Sequence, residues 1–459
     1  MNQSHDSQAD FNRRDFLKGS SFAALMTMMG GVQLMAQSAP EQKSAVPDSG
    51  PKVKVAVIGL GSWGREILDQ LGRLEKAEIV AICDNYPAMM RRSATKAPGA
   101  KQVEDYQELL KDAAIQAVIV ATGSHQHKDI VIAALKAGKH VYCEAPLAHT
   151  VEDARAIALA AKESTAQVFQ VGLQGRSDPQ RHFLLPFIRS GALGKPVMAR
   201  AQWHKKQSWR QASPNSDRER AINWRLNKST SPGLIGETGI HAIDQAGWFM
   251  NIKPVAVTGF SSTLLWKDDG RDVPDTVEAM IEFPGGVKMN YNASLATSFD
   301  SENELLYGTD ATVMMRDGKA WMFKEVDSPL LGWEVYARKD NFFNETGIVL
   351  AVGSSKQTAL VDGAQAQQAP PAHYHALKAF VANCKEVTAE VADFKSNYES
   401  ATKEQLGEHV LSLKVGQNTD RPAAGYHEGF VATVLALKVN EAVNTGKRIE
   451  FKKEWFELA

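Results

Sequence analysis

The chain has 459 residues, with 52 Lys plus Arg against 53 Asp plus Glu and a net charge of −1. That length supports two domains with full cores, and the charge balance excludes the basic surface of a nucleic-acid-binding protein. The 3 cysteines, Cys83, Cys143 and Cys384, exclude a disulfide framework.

At the front, Arg13-Arg14-Asp15-Phe16-Leu17-Lys18 resembles the twin-arginine export motif. The stretch behind it, Ser20 to Met35, is diluted by Thr27, Gly30 and Gly31. It is too short and too weakly apolar for a membrane span. Small residues follow at Ala36-Gln37-Ser38-Ala39, suited to signal-peptidase cleavage. Residues 1–39 therefore read as a signal peptide for the twin-arginine translocase, and polar 40–51 as a linker. The expected mature protein is soluble, without a membrane anchor, and periplasmic or otherwise exported.

Val53 to Ile58 reads as a buried strand running into Gly59-Leu60-Gly61-Ser62-Trp63-Gly64. Apolar residues at helical spacing follow to Leu74, and Asp84 ends a second apolar run, Glu78 to Cys83. In this order the parts form a dinucleotide site. Gly59 permits the turn, Gly61 admits a pyrophosphate, and Gly64 lets helix and strand pack. The Ser62–Trp63 helix start offers free amides to phosphate. Asp84 can accept from the adenosine ribose hydroxyls, which favours NAD. Ala117 to Ala121 and His140 to Cys143 read as further buried parallel strands. Helices are expected over Ile130–Lys136 and Thr150–Lys162, and a strand over Ala166–Val171. Residues 52–172 thus form a doubly wound α/β domain.

After Gly172 the pattern changes, and 173–459 reads as a second, α+β domain. A helix is expected over Gln180–Ser190 and a strand over Val197–Trp203. Another helix is opened by Ser231 as N-cap and Pro232 at its first position. Strand-like runs at Val255–Leu264, Thr276–Phe283, Val287–Leu295 and Thr312–Arg316 predict a largely antiparallel open sheet. Trp321–Ser354 is aromatic and poorly periodic, read as a substrate-side excursion. Helices over Ala372–Lys385 and Gly425–Gly446 close the chain.

Two loops fall where open α/β sheets bind ligands, beyond the carboxyl ends of strands. They are Ala121-Thr122-Gly123-Ser124-His125-Gln126-His127 and Gly138-Lys139-His140-Val141-Tyr142-Cys143-Glu144-Ala145-Pro146. With the glycine turn and the Ser231 helix, they resemble the Gfo/Idh/MocA family, which includes glucose–fructose oxidoreductase and inositol dehydrogenases. The resemblance covers the chain after about Lys52. It implies bound NAD touched by Gly59, Gly61, Ser62, Trp63, Gly64, Asp84, Thr122, His127, Glu144 and Ala145. It also implies a carbohydrate substrate, and a homo-oligomer built on the open sheet. The family commonly has a lysine where this chain has Ala145. Loss of that lysine is also seen in its NAD-dependent glycosidase branch, glycoside hydrolase family 109.

A methyl group carries no proton, so acid–base work has to move. Glu237, His241 and Asp244 are spaced i, i+4, i+7 and are expected to share a helix face. His241 is the expected base and Glu237 its orienting partner. Gly233, Gly236 and Gly239 are expected to let a substrate ring approach. Arg176, Trp224, Arg225 and Asp244 are candidate substrate contacts. The short pairs His125/His127 and His373/His375 lack the further ligands of a zinc site, and no metal is expected.

An exported protein meets no free NAD pool, so it is expected to keep its cofactor and regenerate it within its own cycle. Three readings follow. The first is an NAD-dependent oxidoreductase acting on a ring carbinol of a sugar or glycoside. The second is a redox-neutral glycosidase or lyase working by transient C3 oxidation and C2 proton abstraction. The third is a sugar-binding module, against which the intact fingerprint and His241 argue.

Overall fold

The computed structural model describes residues 50–458, except 332–333, 335–336, 338, 343–344, 351–369 and 418–420. The proposed signal peptide and most of the linker lie outside the described residues.

The first domain alternates strand and helix as its pattern dictates: β1 (Val53–Ile58), α1 (Ser62–Leu71), β2 (Ala77–Cys83), α2 (Pro87–Ser93), β3 (Lys101–Val103), α3 (Tyr106–Leu110), β4 (Ala117–Val120), α4 (His127–Lys136), β5 (His140–Cys143), α5 (Val151–Glu163) and β6 (Phe169–Val171). All six strands are parallel, in the order β3-β2-β1-β4-β5-β6. Every residue of β4 and β5 is buried, as expected for strands covered on both faces. Thr150 caps α5 by accepting from the Asp153 amide at 3.2 Å. The chain order reverses between β1 and β4, which opens a crevice above their carboxyl ends.

The second domain contains α6 (Pro179–Phe187), β7 (Pro196–His204), α7 (Ser216–Ile222), α8 (Ile240–Met250), β8 (Ala256–Ser262), β9 (Thr276–Glu282), β10 (Lys288–Ser294), β11 (Glu302–Gly308), β12 (Ala311–Arg316), β13 (Lys319–Lys324), β14 (Lys339–Phe342) and β15 (Glu345–Val349). Then come α9 (Ala372–Asn397), α10 (Lys403–Ser412), α11 (Tyr426–Thr445) and a short edge strand, β16 (Ile449–Glu450). The ten-stranded sheet runs β14-β15-β13-β12-β11-β7-β10-β9-β8-β16. Its pairings are antiparallel except β7 with β10. The described part of Trp321–Ser354 extends the edge of this sheet, a regular role where the sequence suggested an excursion.

The 52–172/173–459 division does not describe where α9 and α10 pack. Leu377, Phe380, Val381 and Cys384 of α9, with Leu406 and Val410 of α10, share a core with Val55, Val57 and Ile119 of the first sheet. Gln170 also donates to the Ala376 carbonyl at 2.8 Å. α11 sits at the junction. Thr433 accepts from the Leu147 amide at 3.0 Å, and a Cβ at Gly429 would lie 2.4 Å from Val171. No helix among the described residues is long and apolar enough to cross a membrane.

Candidate active site

A cleft of about 2330 Å³ lies between the domains, over the carboxyl ends of β1, β2, β4 and β5. Its floor is the glycine turn. Gly59 takes φ 93°, a region that favours glycine. A Cβ at Gly64 would sit 1.9 Å from the Gly59 carbonyl oxygen, so that position packs helix on strand. A Cβ at Gly61 would meet no atom within 4 Å. Packing therefore does not require glycine at 61, whereas a ligand pressed against the backbone would. No side chain caps the start of α1, which leaves its first amides open to an anion.

The neighbouring polar groups suit the same occupant. Asp84 Oδ2 accepts from the Leu60 amide and Oδ1 from the Tyr86 amide, both at 2.8 Å. These bonds fix the carboxylate at the end of β2 and leave it further lone pairs. Thr122 Oγ1 and Glu144 Oε1 are enclosed without a hydrogen-bond partner among the described residues. Both line the cleft. Burial raises Glu144 to about 7, against opposing hydrogen bonds from Trp63 and the Ala145 backbone. Ala145 precedes a cis Pro146 and shows only a methyl group to the cleft. Buried polar atoms waiting for partners fit a dinucleotide rich in hydroxyls and amide groups.

His127, read from the sequence as a cofactor contact, is already committed to the backbone. Its Nδ1 lies 3.1 Å from the Pro146 oxygen and its Nε2 lies 3.2 Å from the Thr122 oxygen. Burial lowers its pKa to about 4. The ring fastens the 122–127 loop to the end of β5 and thereby shapes the cleft.

The opposite wall begins with a wide turn, Ile235–Gly239, closed by i→i+5 bonds and running into α8. Ser231 accepts from the Gly233 amide at 3.1 Å, but Gly233 takes φ 64°, so this bond closes a turn ahead of the helix and the expected Ser231 cap with Pro232 as first helical residue is not formed. The expected Glu237–His241 pair does not form. Both residues line the cleft, but the Glu237 carboxylate is taken by other groups. Glu237 instead receives Ser124 at 3.2 Å, Ser231 at 3.4 Å and Arg225 at 3.3 Å. Its side chain is only 6% exposed, and burial raises its pKa against these partners. Gly236 and Gly239 also differ from expectation. A Cβ at either would strike Pro232 or Tyr291, so these glycines make room for protein rings, not a substrate ring.

Asp244 and Arg176, both candidate substrate contacts, hold each other in a two-bond pair at 2.8 Å. Arg176 also lies over the Trp248 ring at 5.3 Å. Arg225 sits between the rings of Trp224 (5.0 Å) and Trp209 (5.8 Å), and Trp224 lies 5.8 Å from His125. His241 lines the cleft and has no hydrogen bond to another described residue. Burial lowers its pKa to about 4, with Asp244 raising and Arg181 lowering it. Arg181 is itself paired to Glu304 at 2.6 Å. Sequence reasoning named the loop that holds Ser124 but missed its bond to Glu237, and it missed Arg181, Trp209 and Arg218. Their partners are distant in the chain, so no local spacing pointed to them. No cluster of three or more His, Cys, Asp or Glu placed to hold a metal occurs among the described residues.

Residues 53–173 match the family described as an oxidoreductase family with an NAD-binding Rossmann fold, and 186–314 match the GFO/IDH/MocA C-terminal domain. Together these matches span more than half the chain. The chain belongs to the Gfo/Idh/MocA family. Its relatives include an inositol 2-dehydrogenase of Salmonella typhimurium, 29% identical over 201 residues, covering 43% of this chain and 55% of the relative. A levoglucosan dehydrogenase of Pseudarthrobacter phenanthrenivorans is 32% identical over 170 residues, 37% of this chain and 42% of the relative. The chain spans about half the length of the curated relatives it matches. Among solved structures, a levoglucosan dehydrogenase in complex with NADH and L-sorbose superposes with a TM-score of 0.62 at 19% identity, covering 88% of this chain and all (100%) of that one. An aldose-aldose oxidoreductase from Caulobacter crescentus, complexed with glycerol, gives 0.60 at 17% identity over 87% of this chain and 100% of that one. At these identities the likeness establishes the fold alone; NAD as the family's cofactor comes from the family match.

Proposed function

We propose that this Gfo/Idh/MocA protein is an NAD-dependent oxidoreductase acting on a ring carbinol of a sugar or polyol. One observation carries the reading: a single cleft joins the open glycine turn to a wall in which His241 makes no hydrogen bond to another described residue. NAD, when bound, supplies the hydride acceptor or donor at a carbinol carbon. Gly61, the first amides of α1, Asp84, Thr122, Trp63 and Glu144 would hold it. Trp224 and Arg225 offer an aromatic face and hydroxyl-binding N–H groups to a sugar.

His241 takes the carbinol proton in this reading. Its lowered pKa keeps the ring neutral, and so able to accept, throughout the working pH range. Asp244 favours the imidazolium that results. Glu237 works indirectly, by holding Arg225 and bridging to Ser124 across the domain junction.

We also propose export through the twin-arginine pathway, with cofactor loaded before translocation, from Arg13, Arg14 and the compartment argument. A second reading, the redox-neutral glycosidase or lyase, draws support from Ala145, because the family's usual proton-carrying lysine is missing. A deuterium label on the oxidised sugar carbon separates the two. An oxidoreductase hands the label to a second substrate or to released cofactor, whereas a redox-neutral enzyme returns it to the same sugar. The proposed oxidoreductase falls if a panel of sugars, polyols and glycosides yields only label returned to the starting ring.

A further inference from the structure

The segment from Lys205 to Thr230 links β7 to the wide turn and is braced as an arm. Asn223 is its hub: the Gln211 amide donates to Oδ1 at 2.7 Å, and Nδ2 donates to the Gln211 oxygen and Glu219 Oε1, both at 3.1 Å. At the root, Ser208 donates to Asp269 at 2.7 Å and Arg210 donates to the Asp269 carbonyl at 2.9 Å. Such bracing gives α7 a defined position although none of its residues is fully buried.

From α7, Arg218 crosses to the first domain. Its guanidinium lies 4.4 Å from the Tyr86 ring centre, and Nη2 donates to Asn85 Oδ1 at 3.2 Å. Asn85 and Tyr86 directly follow Asp84, the residue that marks the adenosine end of a Rossmann site. Arg218, Tyr86, Asp84 and Gly61 line one cleft. Arg218 Nε is enclosed and has no acceptor among the described residues. A cationic N–H left unpaired in an enclosed place is costly, and an acceptor entering the cleft would relieve that cost.

We propose that Arg218 clasps the adenosine end of the bound dinucleotide and slows its release. The clasp rests on the NAD reading above. The free Nε meets an acceptor on the nucleotide, while the Tyr86 stack and the Asn85 bond hold the arginine across the domain junction. Departure of the nucleotide then requires the arm to lift, which breaks these contacts together. Slow release is the property demanded of an enzyme that works on a retained cofactor.

The test is NADH release from the full protein. Wild type, Arg218→Ala and Asn85→Ala are loaded with NADH, mixed with excess NAD, and followed by the loss of NADH fluorescence. Release from Arg218→Ala should be on the order of tenfold faster, the scale of a lost desolvated cation–π contact, with association little changed. Asn85→Ala should move in the same direction by less. Unchanged urea midpoints of the empty proteins separate loss of the clasp from loss of the fold. In a second measurement, Asn85→Cys with Arg218→Cys is bridged by a short bis-maleimide, the three native thiols being buried. Bridging with NADH aboard should retain it through gel filtration, and bridging the empty protein should refuse it. Wild-type release rates in Arg218→Ala, free exchange in the bridged protein, or a defect confined to NADPH would overturn the clasp, the last by making Arg218 a 2′-phosphate contact. If wild type binds no NADH at all, the cofactor reading falls and the clasp with it; if it binds but release ignores Arg218, only the clasp falls.

Discussion

Gly61→Ala and Gly64→Ala should fail in opposite ways, although they lie three residues apart in one motif. At Gly64 the new methyl would lie 1.9 Å from the Gly59 carbonyl oxygen, so the turn has to shift. Overpacking of this kind costs about 1–3 kcal/mol or more of stability. At Gly61 the methyl meets no protein atom within 4 Å, and φ is −58°, outside the left-handed region that would favour glycine. Stability should therefore stay within about 0.5 kcal/mol, as for a surface change. The methyl would instead occupy space that a pyrophosphate must enter. If it meets the ligand as an overpacked core meets a methylene, the same 1–3 kcal/mol appears in binding, a loss of roughly 5- to 150-fold in affinity. Urea unfolding of the empty proteins reads the first quantity and NADH fluorescence titration the second. A Gly61→Ala protein that binds NADH like wild type, at unchanged stability, would refute the placement of the cofactor on this turn.

Other consequences are as direct. His241→Ala should keep fold and NADH binding and lose at least about a hundredfold in turnover. Because burial holds the free ring at about 4, the acidic limb of kcat/KM should fall near pH 4; a limb at 6.5 would remove His241 as the base. His140 tests the same physics in stability. Its Nδ1 accepts from the Val168 amide at 2.9 Å, its Nε2 meets Thr388 at 3.0 Å, and its pKa drops from 6.5 to about 4. The folded state thus binds fewer protons between these values, and stability present above pH 6.5 is lost as pH falls, by roughly 2–3 kcal/mol at pH 4.5. His140→Asn should lack that component in urea titrations at the two pH values. Ala145→Lys should not raise activity on the native substrate if the mechanism has truly changed; a large gain would favour a weakened dehydrogenase. Arg13→Lys with Arg14→Lys should leave folded precursor in the cytoplasm, and normal yield outside the inner membrane would count against twin-arginine export.

The sequence exposed what is local and hid what is not. The β1 turn, the fully buried β4 and β5, and the Thr150 cap all express themselves within a dozen residues, and all were readable. β11 was not, because Asn303 and Glu304 are buried on it and blur its alternation. There Glu304 receives Arg181 and Asn303 Nδ2 donates to Asp300. Nor could α9 be assigned by position in the chain. Its apolar face answers the first sheet, whose strands lie far back in the chain. The Glu237–His241 pairing failed for a subtler reason, since Glu237, in the wider turn at Ile235–Gly239, is taken by Ser124, Ser231 and Arg225.

That wider turn has a chemical consequence. Three acids of this wall, Glu237, Asp244 and Glu304, are each matched by an arginine, namely Arg225, Arg176 and Arg181. A carboxylate held this way is poorly placed to take a proton, because protonation would strand its guanidinium partner in an enclosed site. His241 carries no such obligation. Burial keeps it neutral, and Asp244 can favour its cationic form without being consumed by it. The absence of lysine at 145 keeps one more cation out of the same cleft. In the proposed chemistry His241 is thus a proton acceptor whose charge change breaks none of these three pairs. This is why His241 rather than Glu237 is the residue on which the proposed chemistry stands or falls.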